Sequence, residues 1–492
     1  MDAALCEREQ LAELYLRRQA QLEPLRPDDE IEQRPRVPFH APEFSQPTHL
    51  FGSRTVGCVT IVRRLAGARI LQPLRHHDFA LLTGGQAISL IGDGFFMVAL
   101  AWQVYLISND PGALALVGVA ATLPLLIFLL IGGAFSDRYD RRRLMISADI
   151  ARGIAIGVMG VLSIAGVIQL WHMAIAMAVV GIGGAFFNPS STAIVPDLLP
   201  ERELAQANAL SGALRRLMIS LVGPAIAGIV IATFGPGPAF VIDALTFGVS
   251  AVSIFLIRTR PALRTDVESG VRQTLAKMKE GFVYVRGKPW IWGTLLSAML
   301  SLLFFVGPVQ VLVPFVVKNR LGLGPEALGS IYAAGGVGSV VMAFAIGHYG
   351  LPRKRVTAMY VAWTVGIATL AVYGVMTELW QALAVALFTN ALFEFGQVIW
   401  TTMLQQLVPR QLLGRVSSLD WLLSIGLVPV SYALTGPAAA EFGVGPTLVI
   451  GSLIGGGLTI ALLFVRGVRD PERMPADTSS GSGQRGEDLV GL

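Results

Sequence analysis

The chain has 492 residues, of which 53% are hydrophobic and 14% are charged, and its mean hydropathy is +0.61. A soluble domain carries about a quarter charged residues, so this composition excludes an ordinary soluble protein. The formal net charge is +5, but the basic residues gather in loops between apolar runs. Membrane topology accounts for such loops, and we expect no nucleic-acid partner.

The first 75 residues form a predicted cytoplasmic tail that is largely disordered. Within it, Ala4–Arg26 has apolar and charged residues at helical spacing, whereas Pro27–Ser53 is rich in Pro and charge, a composition typical of disorder. Cys6 and Cys58 both precede the first apolar run. We expect these two cysteines to be reduced and unpaired.

Twelve apolar runs follow, each long enough to cross a bilayer as a helix of about 18 residues or more. They divide into an N-terminal half, 76–257, and a C-terminal half, 289–466, joined by a basic central loop, 258–288, in which Val271–Val285 is predicted to form a surface helix. The polar end, 467–492, is predicted to be a disordered cytoplasmic tail. The predicted spans are Phe79–Leu106, Ala113–Phe135, Leu144–Leu170, Met173–Ala193, Leu210–Phe234, Ala239–Ile257, Ile291–Val313, Ala327–Tyr349, Val356–Met376, Leu379–Leu407, Ser417–Ala438 and Pro446–Val465.

The loops on one side of the predicted bundle carry nearly all of the basic residues, including Arg141 to Arg143 and Arg353 to Arg355. The loops on the other side hold little beyond Lys318 and Arg320. Because short loops rich in Arg and Lys stay inside, we expect a multi-pass protein of the cell membrane, inner or plasma, with both termini cytoplasmic.

The two halves repeat one another in sequence. Residues 198–206, after the fourth span, align with residues 407–415, after the tenth, and in a nearby register Gly133 falls on Gly347. Two six-helix halves related by an axis normal to the membrane, with a binding site between them near the midplane, are a recurrent transporter plan. The predicted fold class is therefore an all-α membrane protein of twelve transmembrane helices in two pseudo-symmetric halves.

A distinctive set of residues stands at specific places in the spans and loops. These residues are Gly85-Gln86, Ser89, Gly92-Asp93, the loop from Gly133 to Arg143, Asn188-Pro189, Pro196-Asp197, residues 207–210, Gly223-Pro224, Gly228, Asp243-Ala244, Gln405, Pro409 and residues 414–416. In this set the chain resembles the major facilitator superfamily, in the branch that includes the enterobactin exporter and the macrolide and multidrug efflux proteins. Span five departs from the antiporter signature of that superfamily, because Ile219 stands where another Gly is expected.

Two acids lie near the middle of predicted spans, Asp93 in span one and Glu394 in span ten. A charge at the centre of a membrane helix costs about 2.5–3.5 kcal/mol on insertion scales, so such an acid needs a reason. We predict that both carry protons in the transport cycle. The alternatives are that Asp93 caps a helix break within Gly92-Asp93-Gly94, and that Glu394 faces a watery cavity without a role or pairs with a cationic substrate.

The charged turn after span two is the candidate gate. The resemblance implies that the acid at Asp137 contacts the other half and locks the inner side. The predicted gating residues are Gly133, Asp137, Arg138, Arg141, Asp149 and Arg152. Asp149 and Arg152 lie three residues apart on one helix face, and we interpret them as a structural ion pair with Asp137 or Arg138. Arg215 and Arg216, at the start of span five, are explained by topology, and Asp243 by capping or local pairing.

The predicted substrate cavity is broad and apolar with a few polar anchors, which suits large amphipathic molecules. Its predicted residues are Gln86, Phe96, Gln103, Gln310, Phe393 and Gln397; further aromatic candidates include Trp102, Phe305 and Trp421. Gly223, Pro224 and Gly228 are assigned to helix packing. No nucleotide-binding Gly-Lys-Ser/Thr loop, no metal-ligand spacing among the histidines and no nucleophile motif occurs, so neither a cofactor, a metal nor an enzymatic activity is expected.

The sequence therefore predicts a secondary transporter that exports amphipathic small molecules, of drug, antibiotic or siderophore type, in exchange for protons. Its expected partners are the small-molecule substrate, protons and the lipid bilayer, and we expect a monomer. Two alternatives stay open: an uptake symporter or uniporter of the same fold, and a non-transporting membrane sensor or scaffold.

Overall fold

The structure is a computed structural model that describes residues 69–258 and 280–472. In these two stretches the regular elements are helical, and twelve helices are long and apolar enough to cross a membrane. In chain order they are α1 His77–Ile107, α2 Pro111–Arg138, α3 Arg141–Ile164, α4 Leu170–Leu198, α5 Leu204–Leu217 continuing as Gly223–Phe234, α6 Pro236–Phe255, α7 Pro289–Gly307 continuing as Val313–Asn319, α8 Pro325–Tyr349, α9 Arg355–Thr369 continuing as Ala371–Val375, α10 Leu379–Leu407, α11 Arg410–Gly426 continuing as Val428–Phe442, and α12 Val444–Leu462. The predicted twelve-helix fold is confirmed.

Several helices extend past the predicted spans at their polar ends. Helix α4 continues to Leu198 where the span was expected to end at Ala193, and α5 begins at Leu204 instead of Leu210. The reason is that hydropathy falls as soon as a helix enters water, whereas its backbone hydrogen bonds continue. A span read from hydropathy therefore underestimates the helix.

Two acids cap the starts of neighbouring helices, Asp110 before α2 and Asp140 in the tight turn between α2 and α3. The Asp110 carboxylate accepts a hydrogen bond from the Gly112 amide at 3.0 Å and caps the start of α2. Asp140 does the same for the start of α3, accepting from the Arg142 amide at 2.9 Å. Each satisfies a backbone N–H that has no partner within the helix. Asp140 thus has a structural function as a cap.

Two of the helices contain a π-helical turn next to a proline. In α5 the turn is Met218–Val222, and Pro224 follows it; in α7 the turn is Pro308–Leu312. Proline has no N–H and cannot bond the carbonyl four residues earlier, so the hydrogen-bond ladder shifts at these points. In α5 the Gly223 amide bonds the Met218 carbonyl, five residues back. Such turns locally widen the helix and often occur at functional sites.

Three segments outside the spans are ordered. Residues Arg69–Arg75 form a 3₁₀ helix before α1, so the predicted tail is helical at its end. Residues 280–286 are helical, which agrees with the last part of the predicted surface helix; the rest of that helix, like Ala4–Arg26 and Pro27–Ser53, lies outside the described residues. A second 3₁₀ turn, Asp470–Glu472, brings the Glu472 carboxylate to Thr357. The carboxylate accepts hydrogen bonds from the Thr357 amide at 2.6 Å and from the Thr357 hydroxyl at 2.9 Å.

The hydrophobic core is continuous at one end of the bundle and divided at the other. We call the end that carries Arg143 and Arg353 the basic end, and the end that carries Asn109 and Asn319 the opposite end. Toward the opposite end one cluster includes buried residues of both halves. At the basic end two separate clusters occur, one around Met145 in the N-terminal half and one in the C-terminal half. The halves are therefore packed together at the opposite end and apart at the basic end.

Polar contacts between the halves are concentrated at the opposite end. The Tyr105 hydroxyl of α1 donates to the Val311 carbonyl of α7 at 2.6 Å, and Lys318 donates to the Tyr105 carbonyl. The Asn109 amide donates to the Asn319 side chain at 2.7 Å. These bonds close that end of the bundle.

Candidate functional site

A cavity of about 910 Å³ lies between the halves toward the basic end. Its wall is formed by the basic-end portions of α1, α2, α3, α4, α5 and α11, so five of the six helices belong to the N-terminal half. The lining residues are Gln86, Ser89, Leu90, Asp93, Leu129, Gly133, Ser136, Arg152, Phe187, Asn188, Pro189, Ser191, Thr192, Ala193, Ser211, Gly212, Arg215, Gly414, Ser417, Ser418, Trp421 and Leu422. The volume is in the range of small-molecule sites.

Asp93 lies in this wall, on a helix that is squeezed between two neighbours. A β-carbon on Gly92 would lie 2.4 Å from Asp243 Oδ1 of α6, and one on Gly94 would lie 2.7 Å from the Cα of Gly223 in α5. Helix α1 is continuous through this point, so the alternative in which Asp93 caps a helix break is wrong. The two glycines instead let α5 and α6 approach the backbone on either side of Asp93, which fixes the position of its carboxylate.

Arg152 of α3 is held beside the cavity by one acid and two rings. It forms an ion pair with Asp149, one turn earlier on the same helix. Its guanidinium carbon lies 4.5 Å from the ring centres of both Phe187 and Phe247. Cation–π contacts of this kind stabilise a charge away from water. The pair was expected to reach Asp137 or Arg138; the side chains of those two residues lie outside what the structure describes.

Asp243 is fully buried behind Asp93 and does not reach the cavity. It is 0% exposed, and the Thr246 hydroxyl lies 3.4 Å from its carboxylate oxygen Oδ1. The Thr246 hydroxyl donates more closely to the Asp243 carbonyl, at 2.7 Å. The local pairing expected for Asp243 is therefore present, but the residue lies against Gly92 and so belongs to the environment of Asp93.

Two neighbouring arginines of α5 have different surroundings. Arg215 is exposed and lines the cavity; it makes no salt bridge or hydrogen bond with the residues that the structure describes. Arg216 lies 2.8 Å from Glu394 Oε1 of α10, which joins the two halves. The sequence reasoning assigned both arginines to topology alone. The sequence feature that pointed to a partner for Arg216 was Glu394, because an acid in the middle of a span is usually paired with a nearby cation.

Of the polar residues predicted for the cavity, Gln86 lies in its wall and donates to the Ser191 hydroxyl at 2.6 Å. Gln103 does not: it is 6% exposed and accepts a hydrogen bond from Ser163 at 2.6 Å inside the N-terminal half. Gln397 is exposed on α10, outside the wall, with its amide 3.4 Å from the Thr401 hydroxyl.

The remaining predicted cavity residues lie in helix packing. Gln310 is half-buried in the π-helical turn of α7. The Phe96 ring packs against Phe240 at 5.8 Å between centres, and Phe393 packs against Phe305 at 4.8 Å. None of these three side chains is among the lining residues of the cavity described above.

The gate region shows contacts within one half. The Arg141 guanidinium bonds Asp197 at 2.6 Å and the Ala193 carbonyl at 2.9 Å, which ties the start of α3 to the end of α4. Gly133 has open space around it and lies in the cavity wall. The described contacts of Arg141 thus stay in the N-terminal half and do not reach the other half in this state.

Of the residues assigned to packing, Pro224 and Gly228 lie at the contact between α5 and α8, whereas Gly223 lies against Gly94 of α1. A β-carbon on Gly228 would lie 2.9 Å from the Cα of Glu326, and one on Gly329 would lie 2.5 Å from the Pro224 carbonyl. One on Gly336 would lie 2.4 Å from the Ser220 carbonyl. Small residues at such crossings let two membrane helices approach closely. The two halves are therefore in backbone contact from the opposite end to the middle of the bundle.

Within residues 69–258 and 280–472, no three His, Cys, Asp or Glu side chains come together in a way that could hold a metal ion. The cavity instead offers one carboxylate, two guanidinium groups and seven hydroxyl-bearing side chains among apolar ones. This arrangement can bind a small molecule that carries both polar and apolar groups.

Twelve spanning helices in two halves, with a cavity between the halves that is open at one end, define a secondary transporter of the major facilitator type. The comparisons with known proteins agree. Residues 68–484 match the family described as transmembrane secretion effector. The chain belongs to this family of the major facilitator superfamily, and the predicted resemblance to its macrolide and multidrug efflux branch is confirmed.

The curated relatives include named efflux proteins. Macrolide efflux protein A of Streptococcus pyogenes is 22% identical over 371 residues, 74% of this chain and 90% of the relative. The multidrug efflux pump Tap of Mycolicibacterium fortuitum is 27% identical over 388 residues, 76% of this chain and 91% of the relative. These relatives match nearly their full length, and they support the predicted class of efflux transporter.

Solved structures share the fold at low sequence identity. A D-xylose–proton symporter aligns with a TM-score of 0.59 and 15% identity, covering 80% of this chain and 96% of its own. A bacterial homologue of the human lysosomal transporter Spinster, in an inward-facing and occupied conformation, aligns with a TM-score of 0.55 and 16% identity, covering 82% and 97%. At these identities the likeness concerns the fold alone.

Proposed function

We propose that this protein exports amphipathic small molecules, of drug, antibiotic or siderophore type, from the cytoplasm in exchange for protons, by alternating access. The observation that carries the proposal is the 910 Å³ cavity with Asp93 in its wall, open at the basic end and closed at the other by contacts such as Tyr105 to Val311. The named activities of the efflux relatives support export of drugs or macrolides.

The orientation follows from charge. The basic end carries Arg141 to Arg143 and Arg353 to Arg355, and loops of this kind remain on the cytoplasmic side. The described chain also enters α1 and leaves α12 at this end, so both termini are proposed to be cytoplasmic in the cell membrane. The cavity then faces the cytoplasm, which is the side from which an exporter collects its substrate.

The lining fits a molecule with both polar and apolar parts. Leu90, Phe187 and Trp421 offer apolar surface, whereas Ser191 and Ser418 are among the hydroxyl groups that can accept or donate hydrogen bonds. The cavity is more polar than the sequence predicted, because seven Ser and Thr side chains reach it. One chain supplies both halves and the whole wall, so a monomer is sufficient for transport.

Asp93 is proposed to couple transport to protons. It lies at the cavity surface and makes no salt bridge or hydrogen bond with the described residues. A carboxyl group with access to water and without a fixed partner can take up and release a proton as the cavity opens to either side. When it is charged it can hold a cationic or hydrogen-bonding group of the substrate, so the proton and the substrate compete for it.

The test is efflux of a panel of dyes and antibiotics, macrolides included, from cells that lack their main pumps. We expect wild-type cells to export at least one compound, and Asp93→Asn and a protonophore each to stop that export. Glu201→Gln, which removes an exposed carboxylate at the basic end outside the cavity, is the matched control. Export that Asp93→Asn leaves intact would refute the coupling role, and accumulation of substrate by the wild type would refute export.

A further inference from the structure

Among the described residues, the ion pair of Arg216 and Glu394 is the salt bridge that joins the two halves of the protein. Arg216 Nη2 lies 2.8 Å from Glu394 Oε1. The other ion pairs of the described chain connect residues of the same half, or connect the segment 280–286 to α11. The Glu394 side chain is 8% exposed and that of Arg216 is 39% exposed, so the acid is the buried partner of the pair and the arginine is the more exposed one.

The pair lies where the closed part of the interface ends. From the opposite end, α5 and α8 are in backbone contact at Gly228 with Glu326 and again at Gly336 with Ser220. Arg216 is one turn beyond Ser220 toward the basic end and lies two residues before the π-helical turn Met218–Val222. Beyond it the halves separate and the cavity begins. An ion pair at this point bears on whether the halves can rock against each other.

Glu394 has Arg216 as its charged neighbour. On the helices packed against α10, Glu326 and His348 lie at the two ends of α8, and Arg355 at the start of α9 bonds Gln406. Asp420 of α11 accepts a hydrogen bond from Trp400 at 3.2 Å. A buried carboxylate that loses its cation is left uncompensated, which is strongly unfavourable. The charge of Glu394 and its contact with Arg216 therefore depend on each other.

We propose that Arg216 is a positioning residue that ties α5 to α10 only when Glu394 is deprotonated, so that release of a proton from Glu394 selects the conformation open at the basic end. Protonation makes Glu394 a neutral acid, removes the attraction to Arg216 and frees the halves to close the basic end. The idea rests on the proposed proton exchange and adds a second protonated residue to it, at the interface of the halves. Asp93 then acts on the substrate, and Glu394 acts on the conformation.

The experiment measures the conformation directly and needs no substrate. Spin labels are placed on Arg202→Cys and Arg353→Cys, two exposed basic-end positions in different halves, in the full chain with Cys6 and Cys58 replaced by Ser. Distances between the labels are recorded by double electron–electron resonance in lipid nanodiscs over a series of pH values. For the wild type we expect the share of long distances, which reports the open basic end, to rise with pH.

In Arg216→Gln and in Glu394→Gln we expect a smaller share of long distances and loss of the pH response. The charge exchange Arg216→Glu with Glu394→Arg should restore part of the response, which a merely structural role would not do. Arg143→Gln removes an exposed guanidinium from an ion pair within one half and is the control; it should behave as the wild type. An unchanged distance distribution and pH response in monodisperse Arg216→Gln would overturn the proposal, and so would an exchange variant no better than the single ones.

These outcomes are separate from those of the efflux test. If the pH response of the distances requires Arg216 but no compound is exported, the proposed role of the Arg216–Glu394 pair is supported and the proposed substrate class is refuted. If Asp93→Asn abolishes export while Arg216→Gln leaves the distance distribution unchanged, proton-coupled export is supported and the proposed role of the Arg216–Glu394 pair is refuted. Where a glutamine variant does not yield folded protein, Arg216→Lys is used instead, because it keeps the charge but changes the geometry. This variant should retain the pH response with a shifted midpoint. A response identical to that of the wild type would count against a geometrically fixed pair.

Discussion

The Cα of Gly223 lies only 2.7 Å from the place that a β-carbon on Gly94 would take, and the reverse distance, from a β-carbon on Gly223 to the Cα of Gly94, is 2.8 Å. The backbones of α1 and α5 therefore cross in direct contact one residue after Asp93. Because the atoms in contact are backbone Cα atoms, the crossing cannot relax by rotation of a side chain. The position of the proposed coupling acid depends on this contact.

We predict that Gly94→Ala destabilises the protein by about 1–3 kcal/mol, the usual cost of adding a methyl group to a packed interior. Thermal unfolding of the purified protein in detergent measures the change. Gly84→Ala on the same helix is the control, since a β-carbon there meets no atom within 4 Å; it should be neutral or slightly stabilising, as Ala is the better helix former. Equal effects of the two substitutions would mean that the crossing is looser than described.

The closed opposite end depends on few hydrogen bonds, and Tyr105→Phe removes one of them, the bond to the Val311 carbonyl at 2.6 Å. A bond of this kind contributes about 0.5–1.5 kcal/mol, so we expect the equilibrium to shift toward opening of that end by roughly two- to tenfold. Reaction of a cysteine placed near Asn109 with a membrane-impermeant maleimide measures the opening.

The control for that change is Tyr373→Phe, which removes a hydroxyl that bonds the Ala382 carbonyl within the C-terminal half at 3.4 Å. It should leave the labelling rate at the opposite end unchanged. A rate that rises equally in both variants would show a general loosening of the fold and not release of the contact between the halves.

The sequence predicted the bundle well because hydrophobic length and loop charge act residue by residue. A run of about 20 apolar residues must span the membrane whatever lies beside it, and the basic turn around Arg141 must lie in water. The order of the helices, the two halves and the basic end follow from these facts alone. The structure therefore agrees with the predicted spans and differs mainly at their polar ends.

The cavity wall could not be predicted in the same way, because it depends on which helix faces which. Gln86 and Gln103 are equally polar residues of α1, yet the first reaches the cavity and the second bonds Ser163 in the interior. Arg215 and Arg216 are neighbours that point about 100° apart around the helix, one to the cavity and one to Glu394. The periodicity of a helix places such residues on different faces. It does not say which face meets the cavity, because the packing of the neighbouring helices decides that.

The link between α3 and α4 is expected to stabilise the N-terminal half. Arg141 bonds both Asp197 and the Ala193 carbonyl, and its side chain is 18% exposed. Hydrogen bonds to charged groups contribute about 1.5–3 kcal/mol, so Arg141→Gln should lower the free energy of unfolding by an amount of this order. Arg143→Gln is the control because its side chain is 89% exposed, and its unfolding temperature should match the wild type. If Arg141→Gln left stability unchanged but altered the distance between the halves, a gating role like that expected from the sequence would be favoured.

The last prediction concerns the one aromatic residue of α11 in the cavity wall. Trp421 is 42% exposed and stands across the cavity from the helices of the N-terminal half, so it can cover the flat apolar part of a substrate. Aromatic contacts of this kind contribute about 0.5–1.5 kcal/mol beyond the area that they bury. We therefore expect Trp421→Ala to raise the substrate concentration at half-maximal efflux by roughly two- to tenfold with little change in maximal rate. Trp380→Ala, which removes a 66% exposed indole at the start of α10 outside the wall, is the control. A loss of maximal rate at unchanged half-saturation would instead place Trp421 in the conformational change, because a residue that only binds substrate affects the occupied fraction and not the turnover of the occupied protein.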